Sequence, residues 1–249
     1  MLKAKATPNF AGITLSGDRD DFEAVYEALH MIVGEEGEYE HVRGSRLRVL
    51  GVCYDIRHAM MGNREIELVD NGMDADKMKW FSTITSEKNV YMSVNLLWPE
   101  ILFVMMALND FTKLYATKES KKSYQPFEDY RVIWDQSLIQ VRLFQSVIAE
   151  CLKETVTDAA YSRTLKTMNG SYFETSHYKD QYVDMLNLRF IEMDSEKRKK
   201  NITIMAKRLA EKGTEYQTLE RKIEQVAEKH GCSVDEVRFS QEYPEEIDW

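Results

Sequence analysis

Residues 89–108 read NVYMSVNLLWPEILFVMMAL, an alternating pattern that passes into an unbroken apolar run. Every second residue from Val90 to Leu96 is apolar, which predicts a strand over 89–97. Pro99 favours the first turn of a helix, because its missing N–H has no partner there anyway. The run 101–108 is much shorter than the ~20 residues that span a bilayer. We therefore expect a strand that leads into a helix, ending near Tyr115, inside a protein core.

The pattern on the N-terminal side of this stretch adds two strands and two helices. Strands are predicted over 10–16 and 64–69, and amphipathic helices over 19–33 and 45–61. Asp18 and Asp21 have the spacing of a capping box at the start of the first helix. Because strands and helices do not alternate regularly, the expected class is α+β, with a small, mostly antiparallel sheet in this half.

The sequence after residue 126 predicts helices alone. The predicted helices cover residues 130–152, the following segment to residue 168, and residues 178–212. A last helix starts at a capping box of Thr214 and Gln217 and ends at Gly231. The polar segment 118–126 is the candidate boundary between two domains. We expect an α+β domain over 1–118 and a helical domain over 127–249, with a long αα-hairpin and an acidic tail.

The amino-acid composition excludes some classes of protein. The chain has 249 residues, 43% of them hydrophobic, with 33 basic against 42 acidic side chains and a net charge of −9. Such an acidic chain is not a general nucleic-acid coat. The three cysteines, Cys53, Cys151 and Cys232, are odd in number and widely spaced, which argues against a disulfide framework and favours a cytoplasmic location. Phosphate-loop, nucleophile-elbow and dinucleotide-binding motifs are missing from the sequence.

Three motifs resemble those of a family of small uncharacterised bacterial proteins. They are ITLSGD at 13–18, RVLGVCYDIRHA at 48–59 and LWPEILF at 97–103. The resemblance covers roughly the first 118 residues and carries no assigned activity. It implies a bacterial or phage origin and agrees with the α+β class of this half.

A metal site is one alternative for the chemistry. Glu27 and His30, like Asp55 and His58, stand three residues apart on predicted helices, so each pair shares a helix face. Di-iron carboxylate proteins use this acid–histidine spacing. A histidine that only forms a hydrogen bond with its neighbouring carboxylate gives the same spacing without a metal ion. We expect no cofactor, with a transition metal bound by these four residues as the alternative.

A nucleic-acid contact is a second alternative. Lys197, Arg198, Lys199 and Lys200 form the densest basic run, which suits phosphate contacts, although acidic residues surround it. The segment 223–237 has the residue spacing of a helix-turn-helix, but its acidic surroundings would repel DNA. We expect a solvated helix face at 197–200, a helical hairpin at 223–237, and no binding of nucleic acid.

The apolar residues of the C-terminal helices are too many for one narrow stripe, and no complete set of catalytic side chains is evident. We therefore expect a non-catalytic interaction or assembly subunit, bound to a protein partner or to itself and not to a membrane. A metal-dependent enzyme and a nucleic-acid-contacting protein are the alternatives.

Overall fold

Four antiparallel strands form one sheet in the computed structural model, which describes residues 1–120, 124–170 and 174–249. The strand order is β1-β2-β4-β3. The strands are β1 (Lys3–Ala6), β2 (Gly12–Gly17), β3 (Glu65–Asp70) and β4 (Lys88–Leu97). With helices around this sheet and no strand in the described residues after 97, the expected α+β class is confirmed.

The described residues also form ten α-helices. Those of the N-terminal half are α1 (Arg19–Val33), α2 (Arg43–Met60), α3 (Ala75–Trp80) and α4 (Trp98–Ser120). Those that follow are α5 (Tyr130–Ile133), α6 (Gln136–Thr155), α7 (Asp158–Met168), α8 (Gln181–Ile191), α9 (Ser195–Glu211) and α10 (Thr214–His230). None of these described helices is long and apolar enough to cross a membrane.

One face of the sheet belongs to the core. Ile13 lies opposite Leu96 and Leu15 lies opposite Val94, and all four side chains are buried. Gly12 allows the close approach of β2 and β4, since a Cβ atom there would lie 1.9 Å from the carbonyl oxygen of Leu96. The other face carries polar side chains such as Thr14 and Asn95, which share a hydrogen bond of 2.7 Å.

Helix α4 is the centre of the molecule. Every residue from Ile101 to Leu108 is buried, as the apolar run predicts. Helices from both halves of the chain pack against it, among them α1, α2, α8 and α9. Helix α1 also packs on α6, and β1 packs on α6. The hydrophobic core is therefore continuous across the boundary that the sequence predicts at 118–126.

Three local predictions are wrong. The long helix expected over 178–212 is two helices, because the Asp194 side chain accepts the N–H of Lys197 and starts α9 as a new N-terminus. Similarly, the helix expected over 130–152 is divided into α5 and α6 at Asp135, whose side chain accepts the N–H of Leu138. Helix α10 begins after Gly213 without a side-chain cap, so the expected capping box of Thr214 and Gln217 does not form.

Other local signals are confirmed. Asp18 and Asp21 form the expected capping box of α1, and Gly231 ends α10 in the left-handed conformation. The sequence reasoning missed β1 and α3. Strand β1 alternates Lys with Ala, a residue with little preference for strands, and α3 is too short to show a helical period.

Candidate functional site

Residues 61–90 form an arm that leaves the body of the protein. The arm contains β3, α3 and the first residues of β4. None of its thirty residues is buried. A two-stranded hairpin is marginally stable in water unless a further layer covers one of its faces. The arm thus has regular structure without a core of its own.

The core face of the sheet continues into the arm as an uncovered apolar surface. Ile66 lies opposite Met92, and Leu68 lies opposite Val90, so these four side chains share one face. Met92 is buried in the core, whereas Ile66 and Leu68 are 56% and 59% exposed. Strand β4 therefore carries its apolar face from the core out to solvent.

The end of the arm presents a second group of apolar side chains. Trp80 is 84% exposed and Ile84 is 99% exposed, and Phe81 between them is also exposed. Polar contacts hold the backbone here: the Asp74 side chain accepts the N–H of Lys77, and Asn71 donates to the carbonyl oxygen of Ser86 at 2.8 Å. The backbone is fixed by capping and turns, which leaves the large apolar side chains free to make contacts elsewhere.

The arm offers enough apolar surface for a protein interface. Its seven exposed large apolar side chains are Met61, Ile66, Leu68, Trp80, Phe81, Ile84 and Val90. Among them, Trp80 and Phe81 carry aromatic rings of the kind that bury ~150–250 Å² each when a partner covers them. A large exposed apolar patch rimmed by polar residues marks an interaction site.

A network of charged and polar side chains inside the molecule is the second candidate site. The Arg48 guanidinium contacts Glu100 at 3.1 Å, Asp184 at 2.5 Å and Asp180 at 3.5 Å. Asn187 donates to Glu100 at 2.8 Å and to the Tyr243 hydroxyl at 3.1 Å. These residues come from α2, α4, α8, the turn before α8, and the C-terminal tail, so the network fastens these segments together.

Burial shifts the pKa values of two acidic side chains in this network. It raises the pKa of Glu100 and of Asp180, and the nearby Arg48 charge opposes both shifts. Tyr243 covers the cluster, and its Oη donates to Asp184 at 3.0 Å. Because the surrounding side chains and the tail occupy the space around the guanidinium, we assign this network to the stability of the fold.

The raised pKa of Glu100 predicts a pH dependence. The folded chain holds this proton to higher pH than the unfolded chain, so the contribution of Glu100 to stability falls as pH rises above its ordinary pKa of 4.5. Glu100→Gln removes that ionisation. We expect the free energy of unfolding of the variant to fall less between pH 5 and pH 8 than that of the wild type, as measured by urea unfolding. Parallel pH profiles of the two proteins would contradict the assignment.

The structure does not bring the four candidate metal ligands together as one cluster. In the described ranges, no group of three or more His, Cys, Asp or Glu side chains is placed to hold a metal ion. The His30 ring lies 4.5 Å from the Tyr26 ring, and the His58 ring lies 4.2 Å from the Tyr54 ring. Glu27 is exposed on α1. Asp55 instead pairs with Arg64 at 2.7 Å, at the base of the arm.

The basic run lies at the start of α9, and its members have different surroundings. Lys197 pairs with Asp194 at 3.1 Å and Lys200 with Glu196 at 3.5 Å, while Lys199 lies over the Phe10 ring. Arg198 is only 3% exposed, which corrects its expected place on the surface. Its guanidinium donates to carbonyl oxygens of the body and of the tail, so it is not available to a phosphate.

Comparison with known families gives one result. The family model described as a domain of unknown function (DUF6904) matches residues 2–249. The chain belongs to this family. The DUF6904 model covers almost the whole chain, so the uncharacterised family that the motifs indicate in the first 118 residues extends over both halves. No curated protein and no solved structure gives a significant match.

The sequence reasoning missed the arm as a site. The alternation over 64–69 predicts β3 correctly, but it does not tell whether a helix covers that face. Trp80, Phe81 and Ile84 lie in a segment that the sequence leaves without an assigned element. The sequence of this DUF6904 chain does contain one signal of the surface: these three large apolar residues lie within five positions of an otherwise polar segment.

Proposed function

We propose that this protein is a non-catalytic interaction or assembly subunit, and that the arm of residues 61–90 is its binding surface. A cytoplasmic location and a bacterial or phage origin belong to the same proposal. The observation that carries it is the arm itself: it contains strand and helix, none of its thirty residues is buried, and seven of its large apolar side chains are exposed to solvent. A folded segment without its own core gains most from a surface that covers it.

The charges of the arm agree with a protein partner. The arm mixes acidic and basic side chains around its apolar residues, as in Asp74 with Lys77 at 3.3 Å. Protein interfaces have an apolar centre and a polar rim of this kind. Trp80 is of a residue type that contributes most to binding energy at interfaces, and Phe81 is of a type that is enriched there.

The test replaces the apolar end of the arm. The triple variant Trp80→Ser, Phe81→Ser, Ile84→Ser and the wild type are immobilised, and proteins bound from an extract of the source cells are quantified by mass spectrometry. Because central aromatic residues contribute roughly 2 kcal/mol or more each, we expect binding of specific partners to fall at least ~10-fold.

A matched variant controls for nonspecific adhesion. Tyr130→Ser, Trp134→Ser, Ile139→Ser removes three exposed apolar side chains outside the arm, and we expect it to retain the partners of the wild type. All the replaced residues are exposed, so thermal unfolding of both variants should match that of the wild type. If the arm variant retains the same partners, or if both variants lose them equally, the arm is not the binding surface.

A further inference from the structure

We infer that a groove between α4, α6 and α7 binds a small organic carboxylate, and that Arg142 holds the carboxylate group. Arg142 lines two adjoining cavities of about 380 Å³ and 220 Å³. Asn109, Met168 and Asn169 also line both cavities, so the two cavities form one groove around the guanidinium. The residues that line this groove lie outside the arm, and the inference does not depend on the function of the arm.

Arg142 has no carboxylate partner among the described residues. Its Nη1 donates to Asn109 Oδ1 at 2.6 Å and to Gln145 Oε1 at 2.8 Å, and its Nη2 donates to the buried Thr112 Oγ1 at 3.1 Å. Burial lowers the pKa of the guanidinium, and no described acid opposes that shift. By contrast, Arg48 contacts three carboxyl groups. A charge that is partly withdrawn from water without a counter-ion is costly, and a bound anion would supply that counter-ion.

Neutral amides hold the guanidinium in one orientation. The Gln145 amide donates to the carbonyl oxygen of Met105 at 2.8 Å and to Asn109 Oδ1 at 3.2 Å. Its Oε1 is therefore the atom that faces Arg142. The Asn109 amide donates to Asn169 Oδ1 at 3.0 Å, which leaves the Asn109 Oδ1 as an acceptor. Because these acceptors are fixed by their own hydrogen bonds, the guanidinium is positioned before a ligand arrives.

The remaining donors of Arg142 match a carboxylate. A guanidinium has five N–H groups, and the three contacts with neutral oxygens use both of those on Nη1 and one on Nη2. The Nε–H and the second N–H of Nη2 have no hydrogen-bond partner in the part of the chain that the structure describes. Nε and Nη2 lie on one edge of the guanidinium. Two N–H groups on one edge can donate to both oxygens of a carboxylate at once.

The charges of the groove favour a ligand with one negative charge. Lys113 and Asp110 lie 3.9 Å apart at one end of the groove, so their charges offset each other. Asp110 also accepts the backbone N–H and the hydroxyl of Thr175, at 2.8 Å and 2.9 Å. Arg142 is then the positive charge that is left over, and one carboxylate neutralises it.

The other end of the groove is suited to an apolar group. The apolar residues that line the smaller cavity are Met105, Ala149, Leu165 and Met168. Methionine side chains are flexible and polarizable, so they adapt to ligands of different shapes. A carboxylate on Arg142 would place the hydrocarbon part of the ligand beside these residues.

Titration with hexanoate tests this ligand class in the full-length protein. Hexanoate carries one carboxylate on a short alkyl chain, and hexanamide has a similar shape without the charge. We expect hexanoate to move the Arg142 Nε–H signal in nitrogen-15 NMR spectra, with a Kd of about 1–10 mM. Hexanamide should bind at least ~10-fold more weakly, because it cannot accept charge-assisted hydrogen bonds. Inorganic phosphate that binds ~10-fold more tightly than hexanoate would contradict the carboxylate class.

Three arginine variants test the role of Arg142, with hexanoate binding followed by saturation-transfer NMR. Arg142→Met should weaken binding at least ~10-fold, and Arg142→Lys, which keeps the charge but loses the paired donors, should lie between. Arg163→Met is the matched control and should bind as the wild type does. Arg163 is exposed on α7, and its Nε donates to the carbonyl oxygen of Ala159 in the same helix.

Asn109→Asp distinguishes loss of the ligand from damage to the fold. Asp has the shape of Asn, and its carboxylate would take the place of the Oδ1 that lies 2.6 Å from Arg142 Nη1. Because the chain then supplies its own counter-ion, hexanoate should bind at least ~10-fold more weakly, while the midpoint of thermal unfolding does not fall. Equal binding by the wild type and Arg142→Met, equal binding of hexanoate and hexanamide, or no binding at ~50 mM hexanoate would overturn the inference.

Discussion

Arg48→Met should destabilise the protein by about 3–5 kcal/mol at pH 7. The guanidinium is the positive charge that contacts Glu100, Asp180 and Asp184 in the polar network, and Met fills a similar volume without that charge. Three largely buried carboxyl groups then lose their partner. The measurement is the free energy of unfolding in urea, followed by tryptophan fluorescence.

The pH dependence of this variant gives a sharper criterion. The charge of Arg48 lowers the pKa of Glu100 and of Asp180, so its removal raises both further above their ordinary values. A carboxyl with a raised pKa in the folded state favours folding more as pH falls. The loss of stability in Arg48→Met should therefore be smaller at pH 5 than at pH 8.

Two further variants bracket the result. Arg189→Met removes a more exposed arginine that contacts Glu215 at 2.6 Å, and it should cost only about 0–1 kcal/mol. Arg48→Lys keeps the charge but loses the forked contacts, and its stability should lie between those of the wild type and Arg48→Met. A loss below about 1 kcal/mol in Arg48→Met, independent of pH, would show that the network does not hold the fold together.

Arg198→Met should release the C-terminal tail and lower stability by about 2–4 kcal/mol. The buried guanidinium donates to the carbonyl oxygens of Ile191 at 2.6 Å and of Asp248 at 2.5 Å, and it also contacts the carbonyl oxygens of Phe190 and Asn9. Loss of the donor leaves several of these oxygens without a partner. Hydrogen exchange should accelerate at least ~10-fold at the Asn9 amide, because its N–H donates to the carbonyl oxygen of Trp249 in the tail at 3.0 Å, and the tail contributes few buried side chains of its own.

The control for this prediction lies in the same basic run. Lys200 is exposed and pairs with Glu196, so Lys200→Met should change neither stability nor exchange at the Asn9 amide. If the Asn9 amide exchanges at the wild-type rate in Arg198→Met, other contacts, such as the Asn9 side chain with Asp248 at 2.6 Å, are sufficient to hold the tail.

The elements that the sequence predicts well have strong local signals. Strand β4 and helix α4 follow from alternation and from a long apolar run, and α1 follows from its capping box. The break between α8 and α9 was missed because the residues on both sides keep a helical period, while one side-chain cap at Asp194 decides the boundary. Strand β1 lacks β-branched and aromatic residues, and it is held by its pairing with β2.

The sites depend on contacts that no local pattern contains. The carboxylates around Arg48 lie 52, 132 and 136 positions away in sequence. Arg198 stands in a basic run that looks like a solvated face, yet its partners include Asn9 and the tail. Ile66 and Leu68 look like core residues of a strand, and only the positions of the helices show that their face is bare.

The absence of a loop between β4 and α4 has a mechanical consequence. Strand β4 ends at Leu97 and α4 begins at Trp98, so a strand about 30 Å long runs directly into a helix about 35 Å long. The start of β4 lies in solvent within the arm, and α4 passes through the middle of the core. A force or a ligand that displaces the arm therefore acts on Trp98 and the helix behind it without an intervening hinge.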